Sequence, residues 1–255
     1  MGMMTDLSFP RYRVLDVPFN PLTRQATREF CLRAVASDRF HLMVTLGTEM
    51  VMSAQVDSEF RQVVEQADLV VPDGIGVVLA SRMAGLEAPE RVTGVELVQE
   101  LVEAAQEKTG FFFYGSAPGV AERAVSNLQN QVKPFSCVGV VDGYVQDQEQ
   151  VLQMIEAARP QVLFVALGCP RQEKFLATNR ERLERSGVRL GVGVGGSFDV
   201  YAGTVSRAPE WVQKFHLEWF YRLLKQPGRW RRALALPRFA FQVLLSPRRA
   251  VRRVS

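Results

Sequence analysis

The tightest constraint on the fold is a rhythm that repeats along most of the chain. A short apolar run is followed by a polar or glycine-containing motif, and then by a stretch that reads as a helix. The apolar runs are His41–Thr45, Leu69–Val71, Phe111–Tyr114, Ser136–Val141, Val162–Ala166 and Val188–Val192. Most are continuous rather than alternating, which is the pattern of strands buried on both faces. The intervening segments Asp57–Gln66, Gly74–Met83, Gly94–Lys108, Pro118–Gln131, Asp147–Ala158 and Arg171–Arg185 predict helices. Ser116-Ala117-Pro118 offers an N-cap with proline in the first turn, and Gly110 and Gly187 stand where helices should stop. Strand and helix alternating in this way predict an α/β fold of the Rossmann-like, doubly wound kind. Its sheet is mostly parallel, with helices on both faces.

Two hundred and fifty-five residues suffice for one such domain plus an appendage. A composition change near Tyr201–Thr204 divides residues 1–203 from residues 204–255, and beyond it the strands are expected to cease. Pro209–Lys225 reads as one amphipathic helix, followed by a basic, aromatic tail broken at Pro237 and Pro247. The last part carries twelve Lys/Arg against two Glu, a net +10, while residues 1–203 sum to −6. A basic segment on an acidic body implies an anionic partner. Three scattered cysteines argue against a disulfide framework, and no apolar run approaches the roughly 18 residues of a spanning helix. With no signal-peptide pattern at the start, a cytoplasmic protein is expected.

The motifs after the runs carry the chemistry. Ligands of open parallel sheets sit outside the carboxyl ends of the strands. Asp73 follows one run and precedes Gly74; it suits either a proton acceptor or a helix N-cap. Arg171-Gln172-Glu173, behind Gly168 and Pro170, falls in a first helical turn, where free N–H groups favour anions. Gln172 there can bond a sugar or base. Gly193–Gly196 reads as backbone approaching a ligand closely, with Asp199 as a hydrogen-bonding group, although a plain tight turn fits the same residues. His41 and His216 are isolated and expected to be structural, and no Cys/His spacing suggests a metal.

Taken in order, these pieces resemble the WecG/TagA/CpsF family of glycosyltransferases from about Val14 to Pro237. They are Thr45, Pro72-Asp73-Gly74, Glu90-Arg91-Val92-Thr93-Gly94, Gly115 with Pro118-Gly119, and Asp142-Gly143-Tyr144. Gly168-Cys169-Pro170-Arg171-Gln172-Glu173, Gly195-Gly196-Ser197-Phe198-Asp199 and Ala202-Gly203 continue the series. Arg207-Ala208-Pro209-Glu210-Trp211 and Leu217-Glu218-Trp219-Phe220-Tyr221-Arg222 complete it. The resemblance implies inverting transfer of a sugar, N-acetylmannosamine or a related hexose, from a UDP-sugar to a polyprenyl-diphosphate-linked saccharide in cell-surface polymer synthesis. It implies Asp73 as base and a C-terminal segment that meets the membrane. One departure stands out: the family's usual Thr-x-Asn reads Thr45-Leu46-Gly47 here.

Such chemistry needs a base for the acceptor hydroxyl and stabilisation of charge on the leaving diphosphate. Asp73, Thr45 and Arg91 are therefore the catalytic candidates, and Gln172, Gly195, Gly196, Asp199, Arg207 and Arg222 the substrate-binding ones. Arginines and helix N-termini take the stabilising part, without a metal or other cofactor. Residues 204–255 are expected to close the site and to touch the cytoplasmic leaflet, the protein being peripheral there. No nucleic acid partner is expected, and a homo-oligomer is left open. The alternatives are a nucleotide-binding oxidoreductase, which lacks an early GxGxxG, and a basic membrane- or nucleic-acid-binding adaptor.

Overall fold

The structure, a computed structural model, describes residues 9–86, 90–205, 209, 221, 234–245 and 250–254. The helix expected over Pro209–Lys225 lies outside the described residues, apart from Pro209 and Tyr221, as do Arg207, Arg222 and His216.

The six expected strands form one parallel sheet: β3 (His41–Leu46), β4 (Leu69–Pro72), β5 (Gly110–Gly115), β6 (Ser136–Val141), β7 (Val162–Ala166) and β8 (Leu190–Gly193). Their order is β4-β3-β8-β7-β5-β6. The chain steps from β3 to one edge, crosses to lay down β5 and β6 at the other, then returns to fill the centre with β7 and β8. The last strand laid down thus lies beside the first, and the turn after β8 opens in the middle of the carboxyl edge.

Why the runs are continuous is visible in the packing. Leu42, Val44 and Leu46, with Phe112, Tyr114, Leu163 and Val165, join one apolar cluster. Met43, Phe111, Phe113, Phe164 and Val192 join a second. Neighbouring residues of a strand point to opposite faces, so a sheet covered on both sides needs apolar side chains at every position. The first face is covered by α2 (Thr48–Val56), α3 (Ser58–Gln66), α4 (Ile75–Met83), α7 (Gln148–Ala158), α8 (Arg171–Thr178) and α9 (Arg180–Arg185). The second is covered by α1 (Arg24–Val35), α5 (Gly94–Ala104), α6 (Val120–Gln131) and α10 (Ser197–Tyr201).

Three expectations need correction. Ser116-Ala117-Pro118 does not cap α6; Gly119, in the left-handed region at φ +74°, does, and the helix starts at Val120. The single helix expected over Arg171–Arg185 is two, α8 and α9, meeting at Asn179, whose side-chain amide donates to the Phe175 carbonyl at 2.8 Å. Strands also do not end near residue 204. β9 (Val251–Arg253) pairs antiparallel with β1 (Tyr12–Val14), which pairs with β2 (Val17–Phe19) in a separate three-stranded sheet. Ahead of β9, α11 (Ala235–Leu245) packs on α2 and α4 through Phe239 and Val243. Part of the basic tail is therefore stitched to the body. Among the described residues no helix is long and apolar enough to cross a membrane, and the three cysteines are free thiols.

Candidate active site

A cleft of about 820 Å³ runs along the carboxyl edge of the parallel sheet. It gathers Thr45, Asp73, Arg91, Gln172, Gly195, Gly196 and Asp199, that is, every sequence-predicted site residue that is described. They come from five places far apart in sequence: the end of β3, the connections after β4, β7 and β8, and the segment between α4 and α5. The parallel sheet brings them to one edge because every strand ends there.

At one end lies Asp73. Its backbone N–H donates to the Leu46 carbonyl at 3.1 Å, tying the end of β4 to that of β3. The N-cap reading fails: the cap of α4 is Gly74, and no side chain caps that helix. Arg91 stands beside it, with Nε donating to the Asp73 carbonyl at 2.7 Å and 3.8 Å from carboxylate Oδ1. Arg91 is held there because the Val92 N–H donates to the Pro72 carbonyl at 2.8 Å and Thr93 caps α5, accepting from the Glu96 N–H. Both Asp73 and Arg91 remain about one-third to one-quarter exposed, so a substrate can reach them.

Four helices begin at or beside the cleft with no side chain capping them: α2 at Gly47, α4 at Gly74, α8 at Pro170 and the short α10 at Gly196. The first N–H groups of a helix have no partner within it, and they carry the positive end of the helix dipole. Bare starts of this kind suit anionic oxygens. Gly47 has φ −86°, which any residue can adopt, and the nearest atom to a Cβ there would be 3.9 Å away. Glycine at 47 therefore widens the cleft rather than solving a backbone problem.

The centre is built around Gln172. The side chain is only 4 % exposed, contrary to what a first-turn polar residue suggests. Its Oε1 accepts from the N–H groups of Gly168 and Gly195, each at 3.1 Å, and its Nε2 donates to Glu173 Oε1 at 2.7 Å. The amide thus latches the loop after β7 to the loop after β8. Gly195 turns in the left-handed region at φ +53°, and Gly193 lies flat on the latch, where a Cβ would come within 2.5 Å of Gln172 Nε2. Thr45, 7 % exposed, donates from Oγ1 to the Gly193 carbonyl at 3.3 Å, so it braces the same loop from β3. Glu173 is wholly buried, and burial pushes its carboxyl up to about 7.

At the far end, Asp199 on α10 accepts from the Ser116 hydroxyl at 3.3 Å, and the exposed ring of Tyr144 forms the wall. Ser116, Tyr144 and Glu49 also line the cleft and were not among the sequence candidates, and Arg171 lines it as a member of the Arg171-Gln172-Glu173 motif. Each follows a strand end, the same signal that singled out Asp73. His41, fully buried at the amino end of β3, bonds Ser37 and plays no part here. Among the described residues no three His, Cys, Asp or Glu side chains are arranged to hold a metal.

The chain matches the model of the glycosyl transferase WecG/TagA/CpsF family over residues 12–253. Over 203 residues it is 40% identical to the N-acetylglucosaminyldiphosphoundecaprenol N-acetyl-beta-D-mannosaminyltransferase of Bacillus spizizenii, covering 79% of this chain and 78% of that protein. It is 38% identical over 201 residues to the protein of the same name from Bacillus subtilis strain 168, covering 78% and 77% of the two chains. A match across nearly the whole chain, with the motifs converging on one cleft, settles the assignment: the chain belongs to the WecG/TagA/CpsF family of glycosyl transferases.

Proposed function

We propose that the protein transfers an N-acetylmannosamine-type residue from a UDP-sugar, with inversion, to a polyprenyl-diphosphate-linked N-acetylglucosamine. The acceptor and the sugar rest on the names of the two Bacillus relatives. Their β-linked product supports inversion, since UDP-hexoses are ordinarily activated as the α anomer. The observation that carries the mechanism is the placing of Asp73: it shares a cleft with Arg91 and with four uncapped helix starts, and it is not the cap of α4.

In this reading the Asp73 carboxylate takes the proton of the acceptor hydroxyl as that oxygen attacks the anomeric carbon. The bond to the UDP oxygen breaks, and charge grows on the diphosphate. Arg91, with the positive N-terminal ends of α2 and α8, which no side chain caps, stabilises that charge without a divalent ion. The nucleobase lies toward Ser116, Asp199 and Tyr144, the end farthest from Asp73 along the sheet order. Gln172, its amide already bonded, shapes the donor loops, and Gly195 and Gly196 let the donor approach the backbone. Arg207 and Arg222, outside the described residues, are the further clamps for diphosphate oxygens.

The acceptor's lipid is in a bilayer, so we place the protein at its cytoplasmic leaflet, with residues 204–255 as a functional appendage. In support, α11 presents exposed Phe241, Leu244 and Leu245, and Arg252 and Arg253 follow close behind. The test is UDP release from a set of UDP-sugars with a short-chain polyprenyl-diphosphate N-acetylglucosamine acceptor, with and without EDTA. Release with one UDP-N-acetylhexosamine, unaffected by EDTA, is expected. Failure of every UDP-sugar overturns the donor assignment, and a strict divalent-ion requirement overturns the metal-free stabilisation.

A further inference from the structure

Beneath the cleft lies a buried ionisable group that the proposed mechanism leaves without a task. Glu173 is 0 % exposed and sits under the centre of the cleft. Its Oε1 accepts from Gln172, while Oε2 is buried with no hydrogen-bond partner among the described residues. A carboxylate in that position would hold an uncompensated charge away from water, whereas a neutral acid would not. The surroundings offset burial only in part: Gln172, the Glu173 N–H and the Cys169 thiol favour the charged form, and burial outweighs them. Strands β7 and β8 carry no titratable side chain. On α2, Glu49 repels a second negative charge, and Cys169 favours the charged form only weakly, after burial has opposed it. Along α3, Asp57 and Glu59 turn to Lys174 and form ion pairs with it.

We propose that Glu173 is a positioning residue of the donor pocket that works as a neutral acid. It fixes the Gln172 amide so that Oε1 faces the N–H groups of Gly168 and Gly195, and on ionising it sets a buried negative charge beneath the donor's diphosphate. The orientation follows from the bonds. Gln172 Nε2 has one acceptor, Glu173 Oε1, and if the amide were reversed, two N–H groups would face an NH₂. The pH sensitivity follows from burial, which moves the titration of this carboxyl to about 7. Above that range the donor meets an added negative charge, and below it the latch remains intact without one.

The inference rests on the UDP-sugar reading, and the experiment separates the two. Binding of UDP-N-acetylmannosamine to the full chain is measured by calorimetry at about pH 6 and about pH 8, on either side of the titration. A UDP-sugar is used because its diphosphate diester keeps a constant charge over this range. Wild-type affinity should weaken by up to roughly tenfold, the ceiling that linkage sets for one group titrating midway between the two pH values. Glu173→Gln keeps an acceptor for Gln172 and cannot ionise, so its affinity should be the same at both pH values and near the wild-type value at the lower one. In turnover, the pH effect should fall on the donor KM and not on kcat. No binding at either pH refutes the donor reading and the proposal with it. Equal wild-type binding at both refutes the role of Glu173 alone, as does a pH dependence that Glu173→Gln retains. Should Glu173→Gln fail to fold, wild-type protein decides by infrared difference spectroscopy. A protonated carboxyl band must disappear between the two pH values, and its persistence or absence overturns the proposal.

Discussion

Gly193→Ala tests the packing beneath the cleft. The backbone at 193 is not in the left-handed region, so any penalty must come from space. A methyl group there would stand 2.5 Å from Gln172 Nε2 and 2.8 Å from Glu173 Oε1. Side-chain ends usually yield cheaply, but these two are bonded to each other, buried, and tied to two loops. Overpacking of this kind costs about 1–3 kcal/mol, and breaking one latch bond adds about 1 kcal/mol. The variant should therefore lose roughly 2–4 kcal/mol, which leaves a domain of ordinary stability folded. Urea unfolding should show a lower midpoint at an unchanged slope, and calorimetry should show weakened UDP-sugar binding. Two neighbours are controls. Gly195→Ala meets no atom within 4 Å but sits at φ +53°, so about 1–2 kcal/mol of backbone strain is its whole cost. Gly47→Ala has neither problem and should change stability by no more than about 0.5 kcal/mol. If Gly193→Ala is as mild as Gly47→Ala, the Gln172–Glu173 pair is not the rigid floor argued here.

Asp73→Asn should lower kcat by about 10²–10⁴-fold with little change in melting temperature, because the side chain caps no helix and its ion pair with Arg91 is long and partly exposed; near-normal turnover would place the base elsewhere. For Glu173, the folded-state value is raised, so the native state binds the extra proton between about 4.5 and about 7. Stability therefore falls as pH rises through that window and is flat above it. The loss is on the order of 3 kcal/mol, seen as a falling denaturation midpoint that Glu173→Gln should not show. Phe239→Ala empties the contact of α11 with the body, where Phe239 is 2 % exposed. Hydrogen exchange in residues 235–245 should rise while β3 and β8 stay protected; uniform protection would mean that α11 is held by other contacts. Removing residues 238–255 takes away β9 as well as the exposed Phe241, Leu244 and Leu245. Activity on a water-soluble acceptor should then fall along with liposome binding, and full activity would show that the stitching does not matter to the site.

The sheet was legible because its physics is local: a strand buried on both faces must be apolar at every position, and Phe111–Tyr114 or Val162–Ala166 can hardly be anything else. The elements missed lack that signature. In α1 the buried positions Thr27, Phe30, Cys31 and Ala34 keep helical spacing, but two of them are not strongly apolar. The β1–β2 hairpin has three-residue strands and turns at Leu15–Asp16, both at positive φ with no glycine to announce it. β9 is a valine followed by two arginines, and its pairing with Tyr12–Val14 is a contact between the two ends of the chain. Nothing within a few residues of Val251 encodes that partner.

The site shows the same division between local and long-range signals. Residues placed at strand ends were found because chain order and strand direction suffice to put them on one edge; Asp73 and Asp199 needed no more than that, whereas Thr45 and Arg91 were found through the family resemblance, and Arg91 lies between α4 and α5 rather than after a strand. Gln172 and Glu173 were found for a weaker reason and have a different character. Read along the chain, they are polar residues in an exposed first helical turn. In the fold, β8 arrives last and lies across them, and Gly193 lets its backbone come close enough to bury both. A side chain that bonds Gly168 four residues back and Gly195 twenty-three residues ahead is doing work that only the returning strand defines. The glycines were the trace of this in the sequence: Gly193 marks where backbone presses on side chain and Gly195 where the chain must turn away. The motif that looked like a ligand turn is first a packing solution, and the cleft at the carboxyl edge is built on it.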